Sequence, residues 1–244
     1  MPKLVHCSYH KCLTVYFQRV MSQLLRHFGR YHHFNSELGD FYARHGQYRV
    51  SSVNNHALDL DRLGDCRITR SVRDPRDLVV SGYFYHRRGA ERWCLIEDAA
   101  PRDWSIVNGQ IPSAMRPGES YMACLQRLGQ EEGLIAEIEF RSRHFTSMRQ
   151  WPDDDPRIRT WKYEHVISNE QRVFGEIFAH YGFSWPLRLY GHRLAGRFKA
   201  SAARRTAFHI RDPRPGQWRD LFTPRVAAAF EARYGDLPQA LGYE

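Results

Sequence analysis

Short apolar runs along this chain alternate with longer stretches in which apolar residues recur every three or four positions. Leu4–Ser8 is a largely apolar run typical of a buried strand, and the spacing from Leu13 to Phe28 is helical. Gly29 follows as a helix stop. Two further runs predict strands at Arg49–Val53 and Cys66–Val72. The first part of the chain therefore predicts a strand, a loop and a helix, followed by more strands.

A second helix is predicted directly after the Cys66–Val72 strand. Asp74 is suited to cap this helix, and Pro75 is suited to its first turn because its missing N–H is not needed there. The predicted buried face of the helix consists of Leu78, Val79, Tyr83 and Phe84.

The rest of the chain repeats the two kinds of pattern. Helical spacing over 121–148 predicts two helices broken near Gly133, and a strand is predicted around Ile158–Tyr163. Helices are predicted over Asn169–Tyr181 and Phe222–Tyr234. Strands that alternate with helices indicate an α/β fold with a central parallel sheet flanked by helices.

Residues 89–118 differ from both patterns. They hold Gly, Pro, Trp and charged residues without a clear period, which favours a long excursion that acts as a lid or forms part of an acceptor site. The sequence has no internal repeat and no clean boundary, so we expect one domain over 1–244.

Composition narrows the class of protein. The chain of 244 residues has 42% hydrophobic and 26% charged residues, and it has no apolar run long enough for a transmembrane helix. We see no secretory signal and therefore expect a cytoplasmic protein without stable membrane insertion. Five scattered cysteines without a CxxC pair are typical of reduced thiols: Cys7, Cys12, Cys66, Cys94 and Cys124.

The net charge is +9, and arginine outnumbers lysine. The planar fork of arginine suits phosphate and sulfate oxygens, although a GC-rich genome that prefers arginine codons would produce the same excess. The cations are spread along the chain with short clusters at Arg87-Arg88 and Arg204-Arg205, whereas a nucleic-acid reader usually has a stripe or a known module. We therefore expect no nucleic-acid partner. The histidines have no metal-ligand spacing, so no metal is expected.

Two loops carry the candidate chemistry. The first, SYHKCLTVY at Ser8–Tyr16, joins a strand to a helix, so its backbone N–H groups can receive an anion beside the Lys11 ammonium and the Thr14 hydroxyl. It lacks the GxxxxGK[ST] pattern of nucleoside-triphosphate loops. In the second, RSVRDPRDLVVSGY, Arg73 ends a strand and Ser81 lies two turns into the next helix. A guanidinium and a hydroxyl would thus converge on one phosphate.

These stretches together resemble the sulfotransferases that use 3′-phosphoadenosine 5′-phosphosulfate (PAPS). His10–Tyr16 stands where that family has PKSGTTW, and Arg73–Ser81 matches RNPxDxxxS at the same spacing. Tyr163–His165 resembles a strand-ending YED. Arg211–Thr223 keeps the Arg, Gly, Trp, Phe and Thr spacing of RKGxxGxWxxxFT. The resemblance implies a P-loop-like nucleotide-binding fold, PAPS as co-substrate, and PAP, its 3′,5′-bisphosphate, as product.

The resemblance also implies roles for the residues of the first loop. Lys11 would contact the bridging oxygen and stabilise the leaving phosphate. The hydroxyl of Thr14 would bind the 5′-phosphosulfate together with nearby backbone amides, namely those of Cys12, Leu13, Thr14 and Val15.

Further roles follow for residues elsewhere in the chain. Arg73 and Ser81 would hold the 3′-phosphate, and Arg211 would add a second basic contact to it. Tyr16 would stack on the adenine, and Tyr163 would touch the same base.

The sequence departs from the family pattern at several of these positions. Leu13 replaces a glycine, so the loop is expected to use a positive φ less freely. Val15 replaces a threonine and removes one hydroxyl. Asp212 and Pro213 replace Lys-Gly, which deletes one cation.

Transfer of a sulfuryl group to a hydroxyl or amine also needs a base for the acceptor proton. His56 is the first candidate, since it follows the second predicted strand as the family's catalytic histidine does. Glu37 is the alternative, and His10 is a third possibility.

The sequence therefore predicts a PAPS-dependent sulfotransferase that acts on a small-molecule, lipid or carbohydrate acceptor. A catalytically silent PAP- or PAPS-binding protein is the alternative, and a nucleotide-dependent kinase is a weaker one. No motif identifies the acceptor, and none sets the oligomeric state.

Overall fold

A computed structural model describes residues 2–152, 154–199 and 212–244. Its central sheet has the strand order β2-β3-β1-β4-β5, and every neighbouring pair is parallel. The α/β prediction is therefore confirmed. The strands are β1 Lys3–Ser8, β2 Tyr31–His33, β3 Val50–Asn54, β4 Cys66–Val72 and β5 Ile158–Lys162.

The α-helices range from single turns to about three and a half turns. They are α1 Thr14–Leu24, α2 Leu38–Arg44, α3 Leu60–Leu63, α4 Pro75–His86, α5 Tyr121–Arg127, α6 Gln130–Phe140, α7 Ser142–Arg149, α8 Tyr163–Val166, α9 Glu170–His180, α10 Trp185–Arg197, α11 Trp218–Leu221, α12 Pro224–Tyr234 and α13 Leu237–Ala240. No described helix is both long enough and apolar enough to cross a bilayer.

The described residues form two compact units. The first holds 2–73 and 151–199 and contains the whole sheet, and the second holds 74–150 and 212–244 and is helical. The single domain over 1–244 stays a prediction.

The excursion 89–118 belongs to the second unit and contains two 3₁₀ helices, Arg92–Leu95 and Pro101–Val107. Trp93 and Trp104 are buried there, with ring centroids 5.2 and 5.6 Å from that of Phe140. The segment is thus anchored by aromatic packing, and its lid role stays a prediction.

The predicted and observed helices differ at Gly133. Gly133 lies inside α6 and does not break it, so the predicted break there is wrong. A side chain at this position would collide with the ring of Tyr83, which explains the glycine by packing.

The first helix ends at Leu24, earlier than predicted, and Phe28 is 54% exposed. The sequence analysis missed β2 and α10.

Both faces of the sheet are covered, as parallel sheets require. On one face α1, α9 and α10 pack around Phe17, Met21 and Phe178. On the other face a second apolar cluster includes Phe41 of α2 and Leu60 of α3. The carboxyl ends of the strands emerge between these layers.

One polar group lies within the first of these layers. His6 of β1 is buried, its Nδ1 lies 2.9 Å from the Thr69 hydroxyl, and its ring stacks on Phe17 at 3.6 Å. Burial lowers the pKa of His6 to about 3, and nearby His33 contributes in the same direction. His6 is therefore neutral in the folded protein at any ordinary pH.

This burial predicts acid sensitivity. The unfolded chain takes up a proton on His6 below about pH 6.5, and the folded chain does not. Above pH 6.5 the protonation of His6 therefore takes nothing from the free energy of unfolding. The free energy of unfolding falls as the pH drops from 6.5 towards 3, and His6 contributes up to about 1.4 kcal/mol per pH unit to this fall. Urea unfolding across that range measures the slope. His6→Asn should flatten it, whereas His27→Asn, at an exposed position, should not. Equal slopes in the two variants would contradict the assignment.

The turn before α1 has unusual backbone geometry. Lys11 has φ 73°, and Leu13, the N-cap of α1, has φ 61° and ψ 10°. Leu13 thus takes the left-handed conformation that its side chain was expected to hinder. This conformation costs a non-glycine residue roughly 1–2 kcal/mol.

The strain predicts an inverted substitution order at this position. Leu13→Ala and Leu13→Gly lose the same packing against the core, but only glycine removes the left-handed cost. The glycine variant should therefore be more stable than the alanine variant by about 0.5–1 kcal/mol, the reverse of the usual helix order. Denaturant unfolding of both variants checks this, and an alanine variant of equal or greater stability would exclude the strain.

Candidate active site

The strand order places one crevice at the carboxyl edge of the sheet. The chain leaves β1 towards the β3 side and leaves β4 towards β5, so the connections diverge between these two neighbouring strands. Ligands of open α/β sheets bind at such a switch point. Residues 9–13 follow β1 and Arg73 follows β4, so both predicted loops begin there.

The loop after β1 is shaped to present N–H groups. The Cys12 amide donates to the Tyr9 carbonyl oxygen at 2.8 Å, and left-handed residues stand on either side of Cys12. No side chain of the described residues caps α1, so its first-turn amides point out of the helix. A left-handed residue followed by helical residues is typical of a backbone anion nest. Thr14 is tied to Ser8, with 2.8 Å between the hydroxyl oxygens.

Arg73 reaches this loop from β4. Its Nη1 donates to the carbonyl oxygen of Lys11 at 3.5 Å, and its guanidinium carbon lies 4.1 Å from the ring centroid of Tyr163. The side chain is only 3% exposed. The structure therefore brings together three predicted site residues from the ends of β1, β4 and β5.

A polar network that the sequence analysis missed holds the next loop. The His10 amide donates to Asn55 Oδ1 at 2.7 Å, and Asn55 Nδ2 donates to the Ser36 hydroxyl at 2.9 Å. Asn55 has φ 65°, a conformation that asparagine tolerates. The pair Asn54-Asn55 directly after a predicted strand was the available signal. Through this network the loops after β1, β2 and β3 are mutually fixed.

His56 follows that network directly. Its Nε2 lies 3.0 Å from the Ser36 carbonyl oxygen and must donate to it, so the lone pair that accepts a proton is on Nδ1. Burial lowers the pKa of His56, with the Ser36 hydrogen bond opposing the shift. Glu37, the alternative base, is exposed and its amide donates to the Phe34 carbonyl oxygen at 2.9 Å. Both base candidates thus lie on the loops joined to His10.

Cys12 and Arg70 are fully buried beneath the same edge. Burial raises the pKa of the Cys12 thiol, and Glu164 adds to the shift, so Cys12 is a neutral thiol rather than a nucleophile. The guanidinium carbon of Arg70 lies 5.1 Å from the ring of Trp151. An arginine inside a predicted strand was the only sequence signal for this buried cation.

Tyr16, for which the resemblance implies adenine stacking, packs among the helices of the first unit. It is buried, its hydroxyl donates to the Ala195 carbonyl oxygen at 2.8 Å, and its ring lies 4.8 Å from that of Phe174. This packing gives Tyr16 a core role between α1, α9 and α10. The adenine-stacking role of its ring stays a prediction.

Ser81 lies half-buried on α4 in the second unit, so its pairing with Arg73 stays a prediction. Arg211 lies outside the described residues. Val15, at the position of the missing threonine, is exposed. Among the residues that the structure describes, no His, Cys, Asp and Glu side chains gather into a metal site, and metal-free chemistry likewise stays a prediction.

Asp77 of α4 contacts the Gly216–Trp218 part of the C-terminal motif. It is fully buried, and its carboxylate accepts the amides of Gly216 at 2.6 Å and Trp218 at 3.1 Å. The predicted Gly-Gln-Trp stretch is therefore held on α4 by one carboxylate. The RDPRD motif contains Asp77, but the spacing of the motif did not indicate that its carboxylate binds the Gly216 and Trp218 amides.

Comparison with known proteins gives a fold but no close relative. No protein-family model matches the sequence, and no curated protein matches it. Mouse sulfotransferase SULT7A1, solved in complex with PAP, superimposes with a TM-score of 0.53 at 14% identity, over 96% of this chain and 84% of that one. Retinol dehydratase, solved with retinol and PAP, superimposes with a TM-score of 0.52 at 13% identity, over 98% of this chain and 82% of that one. At these identities the likeness concerns architecture, and this chain has the sulfotransferase fold.

Proposed function

We propose that this protein is a PAPS-dependent sulfotransferase that transfers a sulfuryl group to a hydroxyl or amine. The observation that carries the proposal is the contact of Arg73 with the Lys11 carbonyl at the switch point of the sheet. It joins the two sequence motifs that resemble the PAPS family. The sulfotransferase fold supports the same assignment.

The residues of the first unit suit a nucleotide with phosphate groups at two positions. The first-turn amides of α1 and the Lys11 ammonium would receive the 5′-phosphosulfate. The Arg73 guanidinium, held over the Tyr163 ring, would receive the 3′-phosphate. The cost of the left-handed turn at Lys11 and Leu13 supports a functional reason for this backbone, since strain persists mainly where a site needs it.

The protein's part in the transfer is positioning and charge stabilisation. Bound PAPS supplies an activated sulfuryl group, which passes from a phosphate oxygen to the acceptor oxygen or nitrogen. Lys11 and the α1 amides offset the charge left on that phosphate oxygen. His56 Nδ1 accepts the acceptor's proton, with Nε2 fixed by Ser36.

Other parts of the assignment rest on the resemblance. Ser81 and Arg211 are proposed as further 3′-phosphate contacts, and residues 89–118 as an acceptor lid. The acceptor class remains open among small molecules, lipids and carbohydrates.

A catalytically silent PAP-binding protein is the second candidate. Exposed Val15 favours it, because the family's second hydroxyl is missing where the 5′ end would bind. Tight PAP binding without sulfate transfer to any acceptor would support this candidate. A kinase has less support, since the GK[ST] pattern is missing from the first loop.

The first functional prediction concerns the two cations. Lys11→Ala should lower kcat by about 10²–10³, because one preorganised donor to the leaving group is lost. Arg73→Ala should mainly weaken PAP binding. Labelled PAPS with a panel of acceptors measures the first effect, and calorimetric titration with PAP measures the second.

Lys3→Ala is the matched control, because Lys3 is exposed at the opposite end of β1. Arg73→Lys separates the charge from the guanidinium contacts. Full activity in a folded Lys11→Ala variant would remove that residue from the mechanism.

The second functional prediction concerns the base. Because burial lowers the pKa of His56, the imidazole is neutral at pH 7, and kcat/KM should be level there and fall on the acid side below 6.5. His56→Ala should lower kcat by about 10²–10⁴ and abolish the acid limb. Glu37→Gln should change neither kcat nor the acid limb of the pH profile. If Glu37→Gln abolished the acid limb and His56→Ala kept it, Glu37 would be the base.

A further inference from the structure

The net positive charge of the chain comes from two segments. Residues 1–36 and 177–199 contain nine of the 36 Lys and Arg residues and none of the 27 Asp and Glu residues. The rest of the chain, with 27 of each, is neutral, so the whole +9 lies in these two segments. Such segregation indicates a surface that meets an anionic partner.

The two segments lie together in the first unit. Helix α1 from the first segment packs against α10 from the second, and the Tyr16 hydroxyl bonds to Ala195. Neither helix contains an Asp or Glu residue, so the outer face that the two helices share has only basic charges of its own.

Helix α10 adds an apolar stripe to this face. Trp185 is 72% exposed and Leu189 is 42% exposed. They lie four residues apart, at about 100° per residue, on the side opposite the buried Leu187, Gly191 and Leu194. Trp185 is the first residue of α10, and packing among the described residues does not explain its exposure.

Basic side chains border the stripe on both sides. At the same helical spacing, Arg188 and His192 flank it on one side and Arg193 and Arg197 on the other, and all four are exposed. We call these four residues, with Trp185 and Leu189, the α10 face. Arginines that flank an apolar stripe can extend their guanidinium groups sideways while the stripe is buried.

A second apolar side chain lies near the start of α10. The guanidinium of Arg49 donates to the Phe28 carbonyl oxygen and lies 5.1 Å from the ring of Phe183, two residues before Trp185. Phe28 is itself exposed, between exposed Arg26 and Arg30. The combination of apolar centre and basic border is thus repeated beside the α10 face.

We propose that the α10 face docks on the surface of an anionic phospholipid bilayer. A helix with Trp and Leu along one stripe and arginines at its borders lies in the interface plane, with its apolar residues among the acyl chains and its cations at the phosphates. An anionic nucleic acid or acidic protein would satisfy the cations but would leave the Trp185 stripe without an apolar environment. This inference is independent of the sulfotransferase activity.

The test is co-sedimentation of the full-length protein with vesicles. The protein should bind an equal mixture of phosphatidylglycerol and phosphatidylcholine far better than phosphatidylcholine alone. Arg188→Gln with Arg193→Gln should weaken binding about 25-fold, since each surface cation contributes about fivefold. Trp185→Ala should weaken it about tenfold. Brominated lipids should quench the wild-type fluorescence more than that of Trp185→Phe.

Arg92→Gln with Arg102→Gln is the charge-matched control, because both residues are exposed in the second unit. This control should bind like the wild type. Equal binding to the two vesicle types, or equal losses in both double variants, would overturn the proposal. So would variant-sensitive binding to an RNA homopolymer without binding to vesicles.

Discussion

The parallel pairing of β1 with β4 is the constraint on which the candidate site depends. It places Cys7 beside Arg70 and brings the ends of both strands to one edge, so that Arg73 contacts the Lys11 loop. A parallel ladder can do this for residues more than sixty positions apart because its strands all end at the same edge. The parallel β3 and β5 add Asn55 and Tyr163 to that edge. Every proposed catalytic role follows from this convergence.

Positive charge is used in two physically different ways in the first unit. At the carboxyl edge of the sheet, Arg70 and Arg73 are buried, and there a cation acts strongly because water does not screen it. On the α10 face, Arg188 and Arg193 are exposed, where single ion pairs contribute little but many cations attract an extended anionic surface. The same excess of arginine therefore enters both proposals, the one for a small anionic ligand at the sheet edge and the one for a lipid surface at the α10 face.

The strained turn before α1 coincides with a departure from the motif of the similar family. Leu13 stands where the similar family has glycine, and the backbone keeps the left-handed conformation at a cost in free energy. Tyr16 shows the converse, since the motif position is kept while its ring packs in the core.

The sequence by itself determined what local patterns encode: β1, β4 and α4, the Asp74 cap, and the candidate residues of the two loops. These follow from apolar periodicity and capping chemistry, which act between near neighbours. Only the tertiary structure decided that Tyr16 is buried, that Gly133 continues a helix against Tyr83, and that Asn55 joins three loops. It also decided that α1 and α10, which contain no Asp or Glu, pack against each other. Such features depend on contacts between residues far apart in the chain, and no local pattern records which distant side chain will be the neighbour.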